Sequence, residues 1–115
     1  MNERAGLPVH LQSVRHFLSK QPELETEQMN NTISAWNQML MNERSLFETW
    51  IDPTDVQDEG DIVWCDVIYV RIILPDVAVE ALKLGHDLYQ TFCPDDVTWI
   101  QTSESGVIWA RLWWD

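Results

Sequence analysis

One stretch limits the fold of this chain more than any other: IVWCDVIYVRIIL, residues 62–74. It is rich in β-branched and aromatic side chains and apolar on both alternating faces. That pattern describes a central strand, covered on both sides or covered on one side and paired on the other. Asp66 and Arg71 are its only charges. A chain that holds such a strand needs a sheet around it and a layer against that sheet.

The rest of the chain supplies both. Pro75-Asp76 opens a helix with Asp76 as its N-cap. Ala78, Ala81, Leu82, Gly85, Leu88, Tyr89 and Phe92 form its buried face, and Cys93-Pro94-Asp95-Asp96 stops it. VTWIQT (97–102) and VIWARLWW (107–114) flank Ser103-Glu104-Ser105-Gly106, which predicts a β-hairpin with glycine ending its loop. Alternation sets Trp109 and Trp113 on one face of the last strand and Trp114 on the other. Upstream, Leu7, Leu11, Val14 and Leu18 form one stripe of a short helix that takes Pro8 in its first turn. A longer helix is expected within 22–50. There Met29, Ile33, Trp36, Leu40, Phe47 and Trp50 alternate steps of four and three, with Glu43 in the one missing place. Asp52-Pro53 ends it. The predicted fold is therefore α+β. An N-terminal helical pair is followed by β-α-β-β with a mainly antiparallel sheet, half or more of a split β-α-β, ferredoxin-like layout. Residues 1–115 are expected to form one domain, with a helical part at 1–51, an acidic connection at 52–60 and the sheet-forming part at 61–115.

Charge narrows the function. Nineteen Asp and Glu against seven Lys and Arg leave −12. With 45% hydrophobic and 10% aromatic residues, this is a folding chain and not a disordered acidic tail. Direct binding to nucleic acid or anionic lipid is disfavoured, because both partners would be negative. The acids cluster in the middle: ten of them lie in residues 21–61 against Arg44 alone. Asp52, Asp55, Asp58, Glu59 and Asp61 crowd the connection before the strand. Their charge suits long-range steering toward a basic protein face, with Trp50, Trp109 and Trp113 supplying buried contact area.

Catalytic and metal chemistry find little footing. An EF-hand drawn through Asp55–Asp66 has Gln57 and Glu59 at poor ligand positions, Asp66 where a bidentate Glu belongs, and a strand after it. His86 and Cys93 share a helix side, but the adjacent Asp87 points elsewhere. Nucleotide-binding glycine patterns and nucleophile elbows are absent from the sequence. Cys65 and Cys93 read as reduced thiols of a cytoplasmic protein. No cofactor, no metal and no enzymatic activity are expected. GDIV (60–63), followed by a strand, a helix and a further Asp-Val strand, resembles acidic ferredoxin-like ribonuclease regulators over less than half the chain. The helical N-terminal half departs from that layout, and no residue role is carried over.

The expected function is that of a non-catalytic acidic inhibitor or regulator of a basic protein, such as a nuclease or nucleic-acid-binding protein, of immunity, antitoxin or phage-antagonist type. One alternative is an assembly subunit docking through the 29–50 helix. Another is a small ligand-binding domain or enzyme with a pocket between sheet and helices. Homodimerisation is one way to complete the sheet.

Overall fold

The apolar run divides at Cys65-Asp66. Its first residues form β4 (Ile62–Trp64), which pairs with β3 (Gln57–Glu59) in a separate two-stranded ribbon. The remainder forms β5 (Val67–Ile73), the middle strand of a five-stranded sheet. The computed structural model describes residues 7–27, 29–43, 47–60, 62–73, 90 and 92–115. Within them the sheet order is β1 (Gln12–Ser13), β2 (Phe47–Ile51), β5, β7 (Val107–Trp113), β6 (Asp96–Gln101), and every neighbouring pair is antiparallel. β5 and β6 thus run parallel on either side of β7, the strand arrangement of a split β-α-β unit. Gln90 and Phe92 have helical backbone. The rest of the helix expected from Asp76 onward lies outside the described residues, as do His86 and Asp87.

The sheet is apolar on both faces, which accounts for the composition of β5. On one face Ile68, Val70 and Ile72 of β5 and Ala110 and Leu112 of β7 pack against Val14, Phe17, Leu18, Leu24, Ile33, Trp36 and Met39. Those side chains come from the helices α1 (Val14–Ser19), α2 (Pro22–Glu27) and α3 (Asn31–Met41) and close the main core. On the other face Val67, Tyr69, Ile100, Val107 and Trp109 cluster with Trp50, Ile73 and Trp113, under Leu7 and Leu11. The class is α+β with a mainly antiparallel sheet, as the sequence predicts.

Two N-terminal expectations are corrected. The stripe Leu7–Leu18 is not one helix. Ser13 is extended and pairs across to Trp50, while its hydroxyl accepts from the His16 amide at 3.0 Å and starts α1 there. Leu7 and Leu11 consequently serve one sheet face, and Val14 and Leu18 the other. The heptad pattern of 29–50 is not one helix either. Asn30 is extended, and its side chain accepts from the Ile33 amide at 3.1 Å, so α3 starts anew after it. The helix ends at Asn42, whose amide group donates back to the Gln38 carbonyl at 2.9 Å. Residues 47–51 then alternate as a strand, with Phe47, Thr49 and Ile51 buried. The apolar residues of the 29–50 stripe are therefore divided between α3 and β2.

Glu43, the gap in the stripe, joins these pieces. One of its oxygens accepts from both the amide and the hydroxyl of Thr49 at 2.6 Å, and the other from Arg15 at 2.8 Å. Thr49 is fully buried, so this carboxylate satisfies a polar group that water does not reach. Glu43→Ala strands both donors and is expected to lower the unfolding free energy by about 1–3 kcal/mol, read by urea denaturation.

Candidate protein-interaction surface

Asp52 organises the acidic segment. Its carboxylate accepts from the Thr54 amide at 3.0 Å and the Thr54 hydroxyl at 2.8 Å. Pro53 follows with its fixed φ, and the chain makes one 3-10 turn over Pro53–Asp55. β3 comes next, and Gln57, Asp58 and Glu59 are all exposed. Gly60 turns the ribbon with φ +74°, a left-handed conformation that favours glycine. Val63 is buried in the main core and ties the ribbon down, whereas Ile62 at its tip stays 55% exposed. The described residues of 55–66 therefore form the end of a turn and a hairpin. Asp61 lies outside the described residues.

The register aligns further carboxylates with this segment. Trp50 pairs with Tyr69, Val67 with Trp113, and Trp113 with Asp96. Asp52 stands two residues past Trp50 and so belongs to the same end of the sheet. The Trp114 amide donates to the Asp66 carbonyl at 3.0 Å, the Asp95 amide to the Trp113 carbonyl at 2.8 Å, and the Asp115 amide to the Asp95 carboxylate at 2.5 Å. Asp52, Asp55, Asp66, Asp95, Asp96 and Asp115 are thus gathered from four separate stretches at one end of the sheet. Neighbouring strands lie about 4.8 Å apart, so this end of β2, β5, β7 and β6 is roughly 15 Å wide. The acids are spread along it. Among the described residues no three His, Cys, Asp or Glu side chains surround a common point where a metal ion could sit.

The arginines of the described residues are already engaged. Arg15 pairs with Glu43, and Arg71 with Glu48 and Glu104. Arg111 acts electrostatically on the Tyr69 hydroxyl and on Asp55. None of the ion pairs among the described residues includes Asp55, Asp58, Glu59 or Asp66. Burial pushes the Asp55 carboxyl above the ordinary range; Asp52 and Asp66 push the same way, and Arg111 opposes them. A carboxyl with a raised folded-state value adds most to stability below its unfolded value and loses that contribution as pH rises through its folded value. Asp55→Asn is accordingly expected to melt higher than the parent at neutral pH, the difference vanishing at about pH 3. Thermal unfolding at the two pH values checks this.

The expected tryptophan anchors separate. Trp109 and Trp113 share a face and Trp114 takes the other, as alternation predicts. Trp109, however, is only 7% exposed and meets Trp50 edge-on at 5.8 Å, which makes it part of the second cluster and no free anchor. Trp50 and Trp113 are half-buried and keep surface beside the acidic end. Sequence reading missed Ile62, which it assigned to a covered strand, and Asp66, Asp95, Asp96 and Asp115. Both cysteines are free; Cys65 is half-buried and Cys93 exposed. No helix among the described residues is long and apolar enough to cross a membrane. Comparison with family models, with curated proteins and with solved structures finds no significant match.

Proposed function

We propose that this chain is a non-catalytic, cytoplasmic inhibitor or regulator that binds the basic face of a protein partner, such as the nucleic-acid cleft of a nuclease or DNA-binding protein. One observation carries the reading: carboxylates from four distant stretches converge on one end of the sheet, while Arg15 and Arg71 are paired with Glu43, Glu48 and Glu104. Such a surface raises association rates with a positive face through its field. Asp52, Asp55, Asp58 and Glu59 steer, with Asp66, Asp95 and Asp96 extending the same charge. Trp50, Trp113 and the exposed Ile62 give apolar area at its rim, and burying such area holds a complex once steering has formed it.

Affinity capture from lysate tests this with two baits, the parent and a variant carrying Asp52→Asn, Asp55→Asn, Asp58→Asn and Glu59→Gln. A partner held by the parent, lost by the variant and released between about 50 and 500 mM salt supports the reading, since the screening length falls from about 14 Å to about 4 Å over that range. Capture of the same proteins by both baits, or retention unaffected by salt, contradicts it.

A further inference from the structure

A cavity of about 320 Å³ lies between α3 and strands β4 and β5, away from the second sheet face. One side of α3, including Asn31, Thr32, Gln38 and Trp36, lines it, and Trp64, Phe92, Trp114, Cys65 and Asp66 lie around it. Two contacts tie wall residues to their neighbours. Trp36 meets Phe17 edge-on at 5.8 Å, and the Trp114 indole donates to the Phe92 carbonyl at 3.0 Å. The Cys65 thiol is itself committed to the Val67 carbonyl at 3.1 Å. No Lys, Arg or His stands among the described residues of the wall.

We infer that this cavity binds a small organic cation, an ammonium or guanidinium group bearing apolar substituents. Trp64, Phe92 and Trp114 are partly exposed aromatic rings at this cavity, the residue type that attracts a cation electrostatically and gives apolar contact to its substituents. Asp66 is exposed and takes no ion pair among the described residues, so its charge remains for the ligand. Asp66 lines the cavity and, through its carbonyl bonded by the Trp114 amide, belongs to the acidic end of the sheet, so the cavity lies beside that end. That field concentrates cations and repels anions. The volume sits at the low end for ligand sites and fits a small molecule or one side chain. The inference stands on the cavity alone and not on the partner reading.

Isothermal titration with choline, its uncharged isostere 3,3-dimethylbutan-1-ol and blocked lysine (N-acetyl-lysine amide) tests it. At least one of the two cations is expected to bind about tenfold more tightly than the isostere. Asp66→Asn and Trp64→Ala should each weaken that binding several-fold. Asp66→Asn changes an exposed side chain and keeps the test valid should Trp64→Ala unfold. Tighter binding of blocked lysine identifies a protein side chain as the source, and tighter binding of choline a free molecule. Equal binding of the isostere, indifference to Asp66→Asn, or no heat at about 20 mM ligand, where even millimolar affinity gives near saturation, overturns the inference.

Discussion

Neutralising Asp52, Asp55, Asp58 and Glu59 together slows association with the captured partner by about ten- to a hundredfold at low salt and leaves the dissociation rate nearly unchanged. The asymmetry follows from where these groups sit. Asp58 and Glu59 lie on an exposed ribbon and Asp55 on an exposed turn, so they act through their field before contact. Charges in such positions contribute little once a complex has formed. Trp113→Ala should do the reverse, shortening the lifetime of the complex while the on-rate holds. Rapid-mixing kinetics at two ionic strengths separate the two effects. The neutralised chain should be no less stable than the parent, because Asp55 is a carboxyl that folding disfavours in its charged form. Asp52 is the exception to watch, since its carboxylate caps the turn at Thr54 and the amide of asparagine retains one acceptor there.

The largest stability effect belongs to Trp36. It is 1% exposed, lies in the middle of α3 and meets Phe17 of α1 edge-on. Trp36→Ala is expected to lower the unfolding free energy by about 3–5 kcal/mol. That is a large part of the margin of a typical small domain. Trp99, 43% exposed on the outer strand β6, provides the contrast: Trp99→Ala should fall within about 0.5 kcal/mol of the parent. Urea denaturation of both variants, with unchanged slopes, distinguishes core from surface indole directly.

What the sequence makes legible is set by how many patterns a segment satisfies at once. Residues 107–113 are rich in β-branched and aromatic side chains and follow a loop that ends in glycine, so that strand, hairpin and the faces of Trp109, Trp113 and Trp114 all follow. β5 reveals itself by being apolar on both sides, and the structure supplies a covering for each. Residues 29–50 satisfy two patterns. Ile33, Trp36 and Leu40 obey the helical period, and Phe47 and Trp50 extend it by the coincidence that steps of three and four also link them. Phe47, Thr49 and Ile51 alternate as well, and sheet pairing with β5 decides in favour of the strand. Glu43, the break in the helical stripe, was the visible sign that the pattern stopped there.

The acidic end was half legible for a different reason. Asp52 to Glu59 are contiguous and conspicuous, whereas Asp66, Asp95, Asp96 and Asp115 are scattered along the sequence. They meet because the starts of β5 and β6 and the end of β7 lie at one end of a split β-α-β sheet. Asp95, Asp96 and Asp115 flank predicted strands and follow from that layout, whereas Asp66 sits inside the predicted strand 62–74 and does not. Trp109 illustrates the opposite limit. Its face was predictable, but the loss of its free surface depends on Trp50 across the sheet and on Leu7 and Leu11 above, which no local pattern connects.

The central claim concerns which surface meets the partner. Amide hydrogen exchange of the chain, alone and with the captured partner, locates that surface without any substitution. The account predicts slowed exchange over residues 52–60 and at the strand ends around Asp66, Asp95 and Trp113, with α3 unaffected. Protection confined to α3, or spread evenly over the chain, would contradict it.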